Sequence, residues 1–302
     1  MKPADIAELL GLAALWGAAF LFMRLAGDFG TFGVALARAV GAALVLLPLL
    51  ALRGEWSLLR RHGGPLFVLG LVSSALPFVL LAYATVILGA GAAAIFAATT
   101  PMWAAVISRL WLGDRLSRSR IAGLLVGFGG VAWLVTHQGN APTLAGVTGG
   151  GWAAAACVAA TALYGFSTVY TRKYLAGVPS MALAGGSQLA SAMVLLVPGV
   201  WLWPQQSPRA GAWWALVVLT VACTGLAYLM FFHLVGRVGP ASAVSVTFLV
   251  PAFAVGWGVL FLGERVTPPM LAGCAVVLLG TALSIGLLEA RPGARPTRSD
   301  AP

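Results

Sequence analysis

The sequence predicts an all-α membrane protein in which ten transmembrane helices form two inverted five-helix repeats. Of its 302 residues, 60% are hydrophobic and only 9% are charged, whereas a soluble domain carries roughly 25% charged residues. The apolar residues fall into ten segments, and the second half of the chain repeats the first at a shift of 150 residues. These observations exclude a water-soluble globular protein and a disordered chain, and they leave no room for a separate soluble catalytic domain.

Each of the ten segments is close to the length of about 20 apolar residues that a helix needs to cross a bilayer. The predicted spans are 6–25, 31–52, 65–88, 91–112, 119–136, 151–173, 180–203, 211–234, 239–262 and 268–288. Because several connections are only a few residues long, neighbouring spans are predicted to be antiparallel. The first repeat is predicted at 4–139, the second at 150–289 and a cytoplasmic tail at 290–302.

The net charge of +10 is explained by the positions of the basic residues along the chain. If the N-terminus is cytoplasmic, fourteen of the eighteen Lys and Arg residues lie on the inner side, and only Arg24, Arg209 and Arg265 lie on the outer side. This asymmetry follows the rule that basic residues stay in the cytoplasm. It predicts a multi-pass protein of a bacterial-type inner (plasma) membrane with both termini cytoplasmic, and it argues against nucleic acid as a partner.

The internal repeat is strongest around two prolines, Pro101 and Pro251. Between 101–136 and 251–286, 11 of 36 positions are identical, and Leu112-Gly-Asp-Arg aligns with Leu262-Gly-Glu-Arg. The same shift pairs Arg38 with Gln188 and Tyr83 with His233, and near the start of each half a shift of 148 pairs Ala14-Leu-Trp-Gly with Ala162-Leu-Tyr-Gly. Because each half has five spans, the second half enters the membrane upside down. Inverted repeats are a transporter architecture with the substrate site near the midplane.

These motifs resemble those of the drug/metabolite transporter superfamily. Each half has a Trp-Gly or Tyr-Gly pair in its first helix and a proline followed by Leu-Gly-[Asp/Glu]-Arg before its last helix, as in the ten-span EamA-type exporters. The resemblance covers residues 4–290 and implies a carrier that exports small metabolites. Family members export amino acids, and the chain is similar to the aromatic amino-acid exporters among them. An exporter of drugs or toxic compounds is the alternative within transport.

Other functional classes lack the residues they require. The sequence has no G-x-x-x-x-G-K-[ST] motif for an ATP motor and no H-E-x-x-H motif or Cys/His cluster for a metal, so neither a cofactor nor a metal is predicted. An intramembrane hydrolase is disfavoured because Gly165-Phe-Ser lacks the final glycine of a nucleophile elbow, although His233 could be its base. We therefore predict that the protein is not an enzyme. A non-transporting membrane sensor is a further alternative. The oligomeric state is not predicted.

Three residues are candidates for a charge or proton role: Arg38, Glu8 and His233. All eight acidic residues lie in loops, tails or outermost turns, so no carboxylate is predicted at the midplane. Exchange of protons for cationic drugs normally needs such a group, so we expect transport without a proton gradient. Arg38 lies well inside a span, where it either bonds to neighbouring helices or attracts a substrate carboxylate. Glu8 either reaches the inner interface or takes part in coupling, and His233 is either a structural donor or proton-responsive.

Aromatic and hydroxyl residues at helical spacing predict the lining of a substrate pocket between spans 1, 3, 4, 6, 8 and 9. The candidates are Trp16, Phe20, Phe78, Tyr83, Phe96, Thr100, Trp103, Tyr164, Ser167, Thr168, Tyr228, Ser242, Ser245 and Phe253. Pro101 and Pro251 are predicted to kink their helices beside it. Such a lining suits a neutral or zwitterionic molecule with an aromatic or aliphatic side chain. Plain helix packing is the alternative for each residue.

Overall fold

A computed structural model describes residues 2–138, 150–239, 243 and 245–286, and these residues form helices without any strand. The ten main helices are α1 Pro3–Leu25, α2 Gly30–Leu52, α3 Gly63–Leu88, α4 Ala90–Trp111, α5 Arg118–Gln138, α6 Gly150–Tyr174, α7 Ser180–Trp201, α8 Ala210–Val238, α9 Val246–Leu262 and α10 Pro268–Ser284. Eight of them are long and apolar enough to cross a membrane, and α9 and α10 are shorter apolar helices. The ten-helix prediction is confirmed. The predicted tail 290–302 lies outside the described residues.

Large apolar side chains cover the outside of the bundle. Leu52, Leu110 and Trp201 are each at least 80% exposed, which in water would be an aggregation hazard. In a bilayer the same surface contacts lipid tails at no cost. The interior is rich in alanine, so the helix backbones approach each other closely, as is typical of membrane helix packing.

The two repeats pack through helix–helix contacts that the internal repeat relates to each other. Helix α1 packs on α9 and α6 packs on α4, while α2 pairs with α7 and α5 pairs with α10. Two glycines, Gly17 and Gly165, make the first two crossings possible. A Cβ on Gly17 would lie 2.7 Å from the Cβ of Phe253, and one on Gly165 would lie 2.6 Å from the Cβ of Trp103. The sequence repeat is therefore also a repeat of contacts.

Helix α4 is broken at the position that the prolines predicted. Its first part ends at Ala97 and its second part begins at Thr100, with Pro101 in the first turn. The carbonyl of Ala97, which Pro101 cannot bond, accepts a hydrogen bond of 2.9 Å from the hydroxyl of Thr100. The carbonyl of Ala98 accepts one of 3.2 Å from Thr281 on α10. In the second repeat, Pro251 lies inside the uninterrupted helix α9.

Helices α3 and α8 each contain one wide turn at matching positions. These π-helical segments are Leu71–Ala75 and Val221–Leu226, and they overlap at the shift of 150 residues. The hydroxyl of Thr224 donates 2.8 Å to the carbonyl of Leu219, five residues earlier. Single π turns inside α-helices are frequent at functional sites. Each segment contains one buried hydroxyl residue, Ser74 in the first and Thr224 in the second.

The two Leu-Gly-[Asp/Glu]-Arg motifs lie at opposite ends of the bundle. Asp114 follows the C-terminal end of α4, whereas the carboxylate of Glu264 accepts a hydrogen bond of 2.8 Å from the backbone N–H of Ala90 at the start of α4. The two repeat copies therefore sit at opposite ends of one helix. This arrangement is what an inverted repeat requires.

We predict that Arg115 is cytoplasmic and Arg265 extracytoplasmic. The structure separates the two ends, and the excess of basic residues at the Arg115 end assigns that end to the cytoplasm. The test is Arg115→Cys and Arg265→Cys in a background in which Cys157, Cys223 and Cys274 are replaced by serine. An impermeant thiol reagent added to intact cells should label only position 265. Labelling of both positions from one side would contradict the prediction.

Candidate functional site

A cavity of about 790 Å³ occupies the centre of the bundle. All six predicted helices, α1, α3, α4, α6, α8 and α9, contribute to its wall, and α2 adds Arg38. It begins at the loop that contains Asp114 and reaches Met23, next to Arg24, on the far side. This volume is within the range of small-molecule sites, roughly 300–1,000 Å³.

Ten of the predicted site residues lie in the cavity wall. They are Trp16, Phe20, Arg38, Phe78, Thr100, Pro101, Tyr164, Ser167, Thr168 and Tyr228. Ser167 and Thr168 both donate to the carbonyl of Tyr164, at 2.8 and 3.0 Å. With the hydroxyl hydrogens used inside the helix, their oxygens face the cavity as acceptors only.

Six other predicted residues lie outside the cavity wall in this structure. Tyr83 is exposed, Phe96 is buried in the core, and the Trp103 ring contacts Phe128 of α5 at a centroid distance of 4.8 Å. Phe253 contacts Trp257 at 6.4 Å. Neither Ser245 nor Pro251 lines the cavity either. Ser242 lies outside the described residues.

The face that α4 turns to the cavity consists of small residues. They are Ala94, Ala97, Ala98, Thr100, Pro101, Ala104, Ala105 and Ser108, which follow one helical stripe. The aromatic residues of α4 point into neighbouring helices instead. Sequence reasoning chose the aromatic stripe because large side chains make contacts, but beside α4 the open space of the cavity comes from side chains that are short.

Polar residues in and behind the cavity wall occupy symmetry-related positions. The guanidinium of Arg38 lies 3.9 Å above the ring of Phe78, and its Nε lies 3.4 Å from the hydroxyl of Thr224. The repeat mate, Gln188, donates 3.0 Å hydrogen bonds to the hydroxyls of Ser74 and Tyr228, the mates of Thr224 and Phe78. The same contacts thus occur twice across the pseudo-two-fold axis, once around a charge and once around an amide.

Beyond Met23, at the far end of the cavity, Arg24 and Glu264 form an ion pair. Their side chains are only 18% and 12% exposed. Glu264 also accepts hydrogen bonds from the backbone N–H groups of Ala90 and Gly91, at 2.8 and 3.1 Å. Gly258 leaves room for this carboxylate, because a Cβ there would lie 2.5 Å from Glu264 Oε2. One carboxylate therefore ties α1, α4 and α9 together.

The near end carries the repeat mates of these residues in an open arrangement. Arg172 donates to Asp114 at 2.5 and 3.2 Å, and the hydroxyl of Ser108, the mate of Gly258, also donates to Asp114 at 2.5 Å. The side chains of Arg172 and Asp114 are 62% and 35% exposed, and both line the cavity mouth. The structure is therefore open at the Asp114 end and closed at the Glu264 end.

Hydrogen bonds from Arg172 and Ser108 hold the pKa of Asp114 below its usual range. A depressed pKa means that the carboxylate stays charged until the pH falls through that lower value. The pair with Arg172 is therefore present at neutral pH and is lost only in acid. This ion pair is therefore not a pH switch near neutrality.

Glu8 and His233 are brought together, but away from the cavity. His233 Nδ1 lies 2.8 Å from Glu8 Oε1, and Arg237 lies 2.8 Å from Asp5 one turn away. These pairs join the start of α1 to the end of α8. Sequence reasoning singled out both members without predicting the contact.

The two ion pairs at the cavity ends were not predicted from the sequence. The signal was present, since the shifts of 148 and 150 that define the repeat place Arg24 on Arg172 and Glu264 on Asp114. These residues were counted only as charges that set orientation. Met23, Phe231 and Thr224 in the cavity wall were also missed.

Comparisons with known proteins agree with this architecture. The family model described as the EamA-like transporter family matches residues 6–136 and 151–286, one match in each half. The uncharacterized transporter YvbV of Bacillus subtilis (strain 168) is 28% identical over 189 residues, which are 61% of this chain and 59% of that protein. A probable terminal-alkyne amino-acid exporter of Streptantibioticus cattleyicolor is 26% identical over 271 residues, 89% of each chain.

Two further comparisons cover nearly the whole chain. The uncharacterized inner membrane transporter YedA of Escherichia coli (strain K12) is 25% identical over 97% of this chain and 95% of that protein. One protein of known crystal structure superimposes with a TM-score of 0.66 over 96% of this chain and 100% of that chain, at 20% identity. The latter similarity shows a shared fold only.

Proposed function

We propose that this chain, which belongs to the EamA-like transporter family, exports small metabolites from a bacterial-type cytoplasm. As a member of that family it is a multi-pass membrane transporter and not an enzyme. Its substrates are amino acids with aromatic or other apolar side chains. The observation that carries the proposal is the central cavity, whose wall combines aromatic rings with a few polar groups. The ion pair at its Asp114 end is exposed, whereas the pair at its Glu264 end is largely buried. The name of the 26% identical amino-acid exporter supports the same class of substrate.

The two ion pairs support alternating access as the mechanism. If each repeat took the conformation of the other, Arg172–Asp114 would become the buried pair and Arg24–Glu264 the exposed pair. The open end would then be closed and the closed end open. Inverted repeats produce two opposite-facing states in this way, because each half takes the conformation of the other.

The test of the function is counterflow of labelled amino acids in liposomes that contain only the purified protein. We expect exchange of phenylalanine or another apolar amino acid without an imposed proton gradient. Tyr164→Phe, in the cavity wall, should weaken the apparent affinity about 3- to 10-fold, the usual value of one hydrogen bond. Trp103→Phe removes more aromatic surface outside the cavity and should leave the affinity unchanged.

Stability has to be followed in the same variants. Truncating buried aromatic residues destabilises proteins, and a partly unfolded carrier would mimic weak binding. Both variants should therefore be monodisperse in detergent before they are compared. Absence of counterflow for every amino acid, or equal effects of Tyr164→Phe and Trp103→Phe, would contradict the proposal.

A further inference from the structure

Arg38 is a buried charge whose described neighbours are all neutral. Its side chain is 8% exposed and contacts the ring of Phe78, the hydroxyl of Thr224 and, at 3.3 Å, the sulfur of Met23. Buried charges are normally paired with an opposite charge. Within the part of the chain that the structure describes, no carboxylate lies within ion-pair distance of this guanidinium. An anion that enters the cavity would supply the missing partner.

The fold does not require a charge at this position. Gln188 occupies the equivalent position in the second repeat and makes the equivalent contacts, to Ser74 and Tyr228, as a neutral amide. The first repeat therefore has a charged residue at a position where a neutral residue can make the equivalent contacts. A packing role alone gives no reason for the more costly residue.

The charges in the cavity wall select the sign of the ligand. The charged side chains of the lining are Arg38, Arg115, Arg120, Arg172 and Asp114. The single carboxylate among these lining residues is already bonded to Arg172 at the mouth. An ammonium group inside the cavity would meet hydroxyl and carbonyl oxygens but no carboxylate within the described wall, whereas a carboxylate would meet Arg38.

The position of Arg38 also suits a carrier. It lies in the layer that the pseudo-two-fold axis relates to Gln188, and the two mouths exchange across this axis. An anchor near the axis can be reached from either side, so the substrate need not be handed from one group to another during transport.

We propose that Arg38 binds the carboxylate of the substrate, so that the carrier selects organic carboxylates with an apolar body and recognises amino acids through the carboxylate and not through the ammonium group. The proposal rests on the function proposed above, and it refines it. A guanidinium and a carboxylate form a charge-assisted, bidentate contact that is stronger than a neutral hydrogen bond. Aromatic residues such as Trp16 and Phe20 would then contact the apolar body.

The experiment compares three competitors of one shape in phenylalanine counterflow: phenylalanine, 3-phenylpropionate, which lacks the ammonium, and phenylalanine amide, which lacks the carboxylate. We expect 3-phenylpropionate to compete at least as well as phenylalanine and the amide to compete about tenfold or more less well. Arg38→Gln, which copies the residue of the second repeat, should remove this preference. Arg38→Lys should keep most of it, since the charge remains. Equal competition by the amide, or an acid preference that survives in Arg38→Gln, would overturn the proposal.

A binding measurement separates this proposal from the proposed function. Thermal stability in detergent is measured with 3-phenylpropionate and with the amide, for wild type and Arg38→Gln. Stabilisation of wild type alone by the acid, with no counterflow of any amino acid, supports the anchor and contradicts amino-acid export. Counterflow of phenylalanine without a preference for the acid supports export and overturns the anchor. If Arg38→Gln does not fold, equal competition by the amide in wild type would still overturn the proposal.

Discussion

Replacing Glu264 by glutamine is expected to open the closed end of the cavity and to lower the transport rate about tenfold or more. The variant keeps the shape of the side chain but removes the charge that Arg24 and the N-terminus of α4 require. It also leaves Arg24 unpaired in a position where its side chain is only 18% exposed. The closed end therefore loses stability relative to the opposite-facing state, and the equilibrium between the two states shifts.

The size of the shift follows from the surroundings of the pair. Breaking a fully buried ion pair costs about 3–5 kcal/mol, and this pair keeps some contact with solvent and two backbone hydrogen bonds. We therefore expect the free energy of this state to rise by about 1–3 kcal/mol relative to the opposite-facing state. This corresponds to a shift of roughly 5- to 150-fold in the ratio of the two states. Replacing Asp114 by asparagine should have the opposite sense, because in the opposite-facing state Asp114 would take the buried position that Glu264 has in this structure.

The measurement is the rate at which a cysteine in the cavity wall reacts with an impermeant thiol reagent from each side of the membrane. Ala97→Cys, in a protein without native cysteines, is the reporter, since Ala97 lines the cavity. Glu264→Gln should raise the rate from the Arg265 side, and Asp114→Asn should raise the rate from the Arg115 side. Unchanged rates in both variants would show that these ion pairs do not control access.

The second large effect is expected for Gly165→Ala, which should destabilise the folded protein. The new Cβ would lie 2.6 Å from the Cβ of Trp103 and 2.7 Å from the backbone nitrogen of Ala104, where unstrained carbon contacts are about 3.5–4.0 Å. Because one contact is with backbone, α4 and α6 have to separate. Overpacking of this kind costs about 1–3 kcal/mol. Gly17→Ala should have the same effect at the symmetry-related crossing, against Phe253 and Ala254.

The matched control is Gly129→Ala in α5. No atom lies within 4 Å of a Cβ built there, so this variant gains the better helix propensity of alanine, about 1 kcal/mol, without a collision. Unfolding temperatures in one detergent should therefore fall for positions 17 and 165 and stay equal or rise for position 129. Equal temperatures for all three variants would contradict the role assigned to the two crossings.

The helices and their repeat could be read from the sequence because each is a local or linear pattern. Ten apolar segments follow from hydropathy, and the alignment of Pro101 with Pro251 follows from counting identities. The break in α4 was also predictable, since Pro101 lacks the N–H that a continuous helix needs. The same reasoning did not apply equally to Pro251, which α9 accommodates without interruption.

The cavity wall was predicted only in part, because a helical stripe does not say which of its faces meets empty space. Trp16, Phe20 and Tyr164 lie in the cavity wall, and their contact with a substrate stays a prediction. Trp103 lies elsewhere, because the neighbouring Phe128 of α5 contacts its ring and Ala104 and Ala105 face the cavity. Small residues give no hydropathy signal that separates a cavity from close packing.

By itself, the sequence determined the class of the protein, its ten apolar helices and its two related halves, since hydropathy and self-similarity are properties of the chain. Only the tertiary structure decided which residues meet. It brought Arg24 to Glu264 and Arg172 to Asp114, each pair joining residues far apart in sequence, and it left Arg38 beside neutral groups. The reason is that the interaction energy of two charges depends on the distance between them in space. The packing of α1 on α9 and of α6 on α4 sets those distances.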